Sequence, residues 1–191
     1  MKRIETQRLL LRPFEETDYD DLFELLSQRK YDEFEAYPEI TYENGREHLK
    51  YRLGSDEFFA IVLKENGRVI GNVYFGNRDF EAKEVGYIIN KNYQRQGYAS
   101  EAIKAVIDDG FKNNVHRVYA ECNPNNTCSW QLLEHLHFKR EAFFKQNVYF
   151  KKDDNGNPIW QDTYVYCLVN SRWFWWQETF VPLTRWFLAQ I

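Results

Sequence analysis

The chain has 191 residues, of which 43% are hydrophobic, 28% charged and 18% aromatic, and 25 Lys and Arg against 29 Asp and Glu leave a net charge of −4. That length and composition fit one globular unit with a real core, and the six Trp, thirteen Tyr and fifteen Phe exclude a disordered or low-complexity chain. The charge excludes a global basic field for nucleic acid or an anionic membrane, so an anionic ligand has to be held by local geometry.

In chain order, Arg8 to Phe14 reads as a strand broken by Pro13. Thr17 or Asp18 is then placed to cap a helix carrying Tyr19, Leu22, Phe23, Leu25 and Leu26 at helical spacing. A weaker helix is predicted from about Tyr42 to Leu53. Two strand-like runs, FFAIVLK and RVIGNVYFG, flank Glu65-Asn66-Gly67, a strong hairpin signal. A third strand, Glu84 to Asn90, leads through Lys91–Ala99 into a helix over Ser100–Asn113 whose apolar side is Ala102, Ile103, Val106, Ile107 and Phe111. Arg117 to Cys122 is strand-like, NPNNT breaks the chain, and SWQLLEHLHF is helical. Strands near Ala142–Phe150 and Thr163–Val169 flank the turn from Asp153 to Pro158. The order predicts a mixed α/β domain over residues 4–169.

From Arg172 the chain carries four Trp and three Phe. Residues 170–191 are expected to form an aromatic extension packing on its own domain or on a second subunit, which makes a homodimer a natural arrangement. Membrane-surface association is the sharper alternative, weakened by Pro182 and by the presence of only two Arg. No segment has signal-peptide character or the ~20 apolar residues of a membrane span. Cys122, Cys128 and Cys167 lack paired spacing and fit reduced thiols in a cytoplasmic protein, and neither they nor His135 and His137 suggest a metal site.

The informative feature is Gln94-Arg95-Gln96-Gly97-Tyr98-Ala99 between a strand and a helix. Such a loop presents unpaired backbone N–H groups and the positive end of a helix dipole to one point, a site suited to phosphate without net positive charge. Gly97 permits close approach of the backbone, small Ala99 keeps the first turn clear, and Arg95 can add a charge-assisted contact. A merely structural turn has the same spacing.

Gln94-x-x-Gly97-x-Ala99 resembles the Q/R-x-x-G-x-G/A signature of the GNAT superfamily of acyl-CoA-dependent N-acyltransferases. EVGYIINKNYQRQGYASEAI, NPNNTCSWQLLEHLHF and IWQDTYVYCL are similar to its branch of ribosomal-protein alanine and serine N-acetyltransferases and spermidine acetyltransferases. The segment Thr6 to Pro13 also matches the TxRLxLRP strand of that branch, so the resemblance spans about residues 4 to 169.

It implies a central, mostly antiparallel, twisted sheet, splayed where two parallel strands admit the cofactor, and about four flanking helices. It also implies acetyl-CoA as co-substrate, held by Gln94, Arg95, Gln96, Gly97, Tyr98, Ala99 and Ser100 at the pyrophosphate, by Ile88, Ile89 and Asn90 along the pantetheine, and by Asn126 near the thioester. Two positions depart from the family: His137 stands before Phe138 where Gly is usual, and Trp130 is bulky for its place.

For the chemistry, Glu84 is the expected base, because it opens the strand leading to the cofactor, and Ser129 the expected proton donor to the thiolate; a solvent-facing carboxylate and a plain helix-start hydroxyl are their bland readings. An N–H near Ile89 would meet the oxyanion. Direct transfer in a ternary complex needs no covalent nucleophile, and Cys128 reads as a small buried residue. Asp162 matches a W-x-D element and is expected to attract the amine, or else to cap a turn. The acidic first half, Glu15, Glu16, Asp18, Asp20, Asp21, Glu33, Glu35, Glu39 and Glu43, would favour a polyamine or basic peptide, or else be solvated. The acceptor is thus a primary amine on a protein N-terminus, a polyamine or a small molecule. The competing reading is a non-catalytic acyl-CoA-binding or scaffold module.

Overall fold

The computed structural model describes residues 3–28, 34 and 39–170; the aromatic extension beyond Asn170, and Glu33 and Glu35 of the acidic set, lie outside the described residues. The apolar run after Arg8 becomes β2 (Leu9–Arg12), paired antiparallel with β1 (Ile4–Glu5). A single 3-10 turn (Glu16–Asp18) leads into α1 (Tyr19–Ser27). Of Thr17 and Asp18, the expected caps, neither side chain bonds the N–H groups of this helix. Asp18 takes the N-cap position, but its carboxylate turns back to accept from Glu15 N–H at 2.7 Å and from Arg12 Nη1 and Nη2 at 2.7 and 2.8 Å. A guanidinium taken out of water demands that carboxylate more strongly than the exposed helix N–H groups do. Both side chains are nearly sealed, at 9% and 5% exposure. Asp18→Ala is therefore expected to cost about 3–5 kcal/mol, because it strands the buried Arg12 charge. Urea denaturation measures this, and a loss below ~1 kcal/mol would show that the pair contributes little.

α2 (Gly45–Leu53) starts later than its pattern predicts, because Asn44 Oδ1 accepts from Thr41 N–H at 2.9 Å and closes a turn first. β3 (Phe58–Leu63) and β4 (Val69–Arg78) form the expected hairpin, with Gly67 at φ 75° and Leu63 N–H bonded to Arg68 O at 2.9 Å. β5 (Ala82–Ile89), α3 (Tyr98–Lys112), β6 (Arg117–Cys122) and α4 (Thr127–His135) follow, and then the long hairpin of β7 (Lys139–Lys152) and β8 (Pro158–Val169). The strands make one eight-stranded sheet in the order β1-β2-β3-β4-β5-β6-β8-β7.

β7 and β8 exceed their predicted lengths. Most of β7 and the first residues of β8 are exposed, so no one-sided burial stamps a period on the sequence there. Phe143, Phe144, Tyr149, Phe150 and Trp160 remain exposed along this ribbon.

The helices cover both faces of the sheet. α3 and α4 pack Ile103, Val106, Ile107 and Leu133 against Leu9, Leu11, Ile61, Val85, Val118 and Tyr166 on one face. α1 and α2 pack Leu22, Leu25 and Leu49 against Ala60, Val62 and Val69 on the other. Each such fully buried aliphatic contributes about 1.5–3 kcal/mol of transfer free energy.

The departures from the family resolve locally. Trp130 packs against the first core, and its Nε1–H donates to Pro124 O at 3.1 Å. His137 sits at φ 68° just past α4, donating N–H to Glu134 O at 2.9 Å while Phe138 N–H reaches Leu133 O at 3.0 Å. This is a Schellman ending, and its left-handed position suits glycine. His137→Gly is expected to stabilise the protein by about 0.5–1 kcal/mol through relief of that strain, seen as a rise in Tm; a fall in Tm would contradict it.

Candidate active site

β5 and β6 run parallel but pair only from Ala82–Arg117 to Glu84–Tyr119. Beyond that point β5 continues beside β4 as far as Ile89, and β6 beside β8 as far as Cys122. A gap therefore opens between them from Val85 and Ala120 onward, and Glu84 stands at its apex.

Strand alternation decides which groups face the gap. Asn90 donates its N–H to Ile70 O at 2.9 Å, so Asn90 and Ile88 direct their main-chain N–H toward β4, and Tyr87 and Ile89 direct theirs toward the gap. Gln94 Nε2 accordingly reaches Ile89 O from the open side at 3.0 Å. Of Ile88, Ile89 and Asn90, expected along the pantetheine, only Ile89 directs its main-chain N–H into the gap. Asn90 is buried; its carbonyl accepts from Tyr93 N–H at 2.8 Å, and its side chain holds Glu24 at 2.7 Å and Asn92 N–H at 3.0 Å. It shapes the bend that follows.

That bend ends at Gly97 (φ 82°), and no side chain caps the start of α3. The N–H groups of Gly97, Tyr98, Ala99 and Ser100 meet no acceptor among the described residues. Arg95 is also left-handed, at φ 61°, and its Nη1 lies 3.5 Å from Cys128 Sγ. Gln96 Nε2 donates to Asn92 O at 3.2 Å, which closes the loop on itself. The result is an exposed cluster of amide donors at the positive end of a 15-residue helix, a fit for a phosphate group.

The two faces of β5 carry different chemistry. Tyr87 shares the α3/α4 face with Val85 and Ile89. Its hydroxyl lies 3.0 Å from Ser129 Oγ and donates to Ser129 O at 3.2 Å. Burial pushes the Tyr87 phenol up to about 12, so it keeps its proton. Asn126 Oδ1 accepts from Ser129 N–H at 3.2 Å and caps α4, which fixes Ser129 at the helix start. Cys122 ends β6 beside them, and burial pushes its thiol up to about 11 against the opposing pull of Ser129. Cys128, expected to be buried, is exposed, because it lies on the outer side of the first turn of α4.

Glu84 lies on the opposite face, the side of Ile88 and of α1 and α2. Its carboxylate pairs with Arg78, whose guanidinium also reaches Tyr119 Oη at 3.1 Å and Tyr74 Oη at 3.2 Å. Glu121 joins it from β6; burial and the neighbouring Glu84 charge push the Glu121 carboxyl up. Tyr87, Glu121 and Arg78 escaped the sequence reading. Period-two alternation is the signal that could have found the first two: Tyr87 falls on the face of Val85 and Ile89, and Glu121 on the face opposite Ala120 and Cys122.

Asp162 does not join this group. It alternates onto the face of Tyr164 and Tyr166, away from Glu84, and its Oδ1 accepts from Gln146 N–H at 2.7 Å, where β7 shifts register. The carboxylate pins a bulge, whose freed N–H needs an acceptor. The acidic first half is also partly committed: Asp21 holds Arg68 at 2.6 Å and Val69 N–H at 2.8 Å, and Asp20 accepts from Tyr42 at 2.9 Å.

The parallel pair β5 and β6 thus parts beside an uncapped helix start, the arrangement that the resemblance to the acyltransferase superfamily implies. The chain belongs to the GNAT acetyltransferases, since the Acetyltransferase (GNAT) domain family matches residues 8–139. An uncharacterized N-acetyltransferase of Bacillus subtilis (strain 168), YnaD, is 33% identical over 89% of this chain and 98% of its own. The ribosomal protein uS5-alanine N-acetyltransferase of Escherichia coli (strain K12) is 26% identical over 90% and 92%. A crystal structure of a GNAT-family acetyltransferase from Bacillus anthracis superposes with a TM-score of 0.79 at 30% identity, covering 89% of this chain and 99% of that one. The protein is therefore an enzyme of the N-acetyltransferase class, whose family uses acetyl-CoA. Among the described residues no helix is long and apolar enough to cross a membrane.

Proposed function

We propose that residues 4–169 form an N-acetyltransferase domain that transfers acetyl from acetyl-CoA directly to a primary amine in a ternary complex. The observation that carries this reading is the run of acceptor-free N–H groups at Gly97–Ser100 beside the gap between β5 and β6. The diphosphate would be held by the main chain from Gln94 to Ser100, and the amide-rich arm would pair with Ile89. Bound acetyl-CoA supplies an activated thioester.

The two faces of β5 divide the work. Glu84, with Glu121 beside it, takes the proton from an amine arriving on the α1/α2 face, directly or through water. Ser129, backed by the protonated Tyr87, donates toward the sulfur on the other face, and the Ile89 N–H meets the developing oxyanion. Asn126 acts by fixing Ser129. Asp162 is assigned the turn-pinning role, since its Oδ1 accepts from Gln146 N–H at the bulge and its side chain lies on the face away from Glu84. Of the acceptors, a protein N-terminus is favoured: the uS5-alanine enzyme matches along nearly the whole chain, and part of the acidic set that would attract a polyamine is tied up internally.

Isothermal titration with acetyl-CoA tests the donor, and thiol release against peptides with free N-terminal Ala or Ser, polyamines and small amines tests the acceptor. Micromolar donor binding with turnover on the peptides is expected. Absence of donor binding would overturn the reading, and turnover confined to polyamines would replace the acceptor class.

A further inference from the structure

The Thr6–Pro13 strand was legible as a motif, yet it supplies none of the residues assigned above. It meets the loop through one side chain. Glu101, in the first turn of α3, accepts from Thr6 Oγ1 at 2.6 Å, Arg8 N–H at 2.9 Å and Arg8 Nε at 2.7 Å. Burial alone would push the Glu101 carboxyl up, but these bonds outweigh it and hold the group ionised, below its ordinary range. Arg8, so gripped, donates Nη1 to Gln96 O at 2.9 Å, and its guanidinium carbon lies 4.3 Å from the centre of the Tyr98 ring. Nη2 stands 3.4 Å from where a Cβ on Gly97 would be. One side chain just ahead of β2 thus bonds Gln96 and stacks on Tyr98, the residues on either side of Gly97.

The bond to Gln96 O matters because a trans peptide is planar. Its C=O and the N–H of the following residue point in opposite directions. Arg8 draws the Gln96 carbonyl inward, so the Gly97 N–H on the same peptide points outward. Without that hold, Gly97, which accepts φ of either sign, leaves the peptide free to turn its carbonyl toward an incoming anion, which repels it. Glu101 fixes the guanidinium while Tyr98 stacks on it, so the orientation is set before any ligand arrives.

We propose that Arg8, held by Glu101, is a positioning residue for the donor's diphosphate: it sets the direction of the Gly97 N–H. This rests on the reading of the loop as the acetyl-CoA site. The test compares acetyl-CoA with S-acetylpantetheine, a thioester lacking the diphosphate, using kcat/KM for wild type, Arg8→Met and Glu101→Gln, alongside their melting curves.

Arg8→Met is expected to lower kcat/KM for acetyl-CoA by about 10–100-fold and that for S-acetylpantetheine by less than about twofold, the loss of one preorganised charge-assisted hold. Glu101→Gln, which keeps a neutral acceptor for Thr6 and Arg8, is expected to move the ratio in the same direction by less, and it serves where Arg8→Met does not fold. Equal losses with both donors would reduce Arg8 to a structural residue and overturn the proposal, as would no loss with either. If wild type discriminates between the donors and binds acetyl-CoA while the variants keep that discrimination, only the role of Arg8 fails. If wild type binds no acetyl-CoA, the loop assignment and the proposal fall together.

Discussion

Gly97→Glu is expected to weaken acetyl-CoA binding by at least ~100-fold, about 2.7 kcal/mol, in isothermal titration. Three effects act in the same direction. At φ 82° a side chain costs about 1–2 kcal/mol of backbone strain. The added Cβ lies 3.4 Å from Arg8 Nη2, which presses on the residue that orients the loop. The decisive effect is that the new carboxylate is itself an anion tethered at the start of α3, where it competes for the N–H groups of Tyr98, Ala99 and Ser100 and pairs with Arg8. Gly97→Ala separates these contributions: it retains the strain without the charge, and a loss nearer 10-fold is expected. Unchanged affinity in Gly97→Glu would place the diphosphate somewhere other than this bend.

Glu84→Gln is expected to lower kcat by about 100–1000-fold while acetyl-CoA affinity stays within about twofold, because the carboxylate lies on the face of β5 opposite Tyr87 and Ser129. A general base works by accepting the amine proton through its carboxylate, and the amide that replaces it cannot take that proton. The fold should tolerate the change, since Arg78 keeps Tyr74 and Tyr119 as partners in a solvent-accessible place where an ion pair contributes little. Glu121→Gln is expected to have the smaller effect. Its carboxyl is pushed up by burial and by the Glu84 charge, so losing Glu121 mainly alters the field at Glu84. If Glu84→Gln turns over at the wild-type rate and Glu121→Gln does not, the assignments exchange.

Much of this was legible in local patterns. The α3 stripe of Ala102, Ile103, Val106 and Ile107 has only one face to bury, and it is fully buried. Asn66-Gly67 could close only a tight hairpin, and Gly97 marked the bend because a left-handed residue there favours glycine. Where local rules misled, a distant partner had outbid them. Asp18 takes the cap position, yet its carboxylate serves the buried Arg12, and the Oδ1 of Asp162 accepts from Gln146 N–H, the turn-capping alternative its position offered. Asn90 ends the strand expected to pair with the donor, and its main-chain groups bond Ile70 across the sheet and Tyr93 in the following turn, pairings no local pattern announces.

Sequence alone determined the alternation of strands and helices, the amide-rich bend and the family, because each is written in spacings a few residues long. The tertiary structure decided which face of β5 each group occupies, since alternation shows that Glu84 and Tyr87 lie on opposite sides but not which helices cover each side. It also decided that β5 and β6 stop pairing after Glu84 and Tyr119, and that Arg8 reaches Gln96 from 88 residues away. Such contacts depend on sheet order and on where two strands part, and hydrophobic spacing carries no record of either.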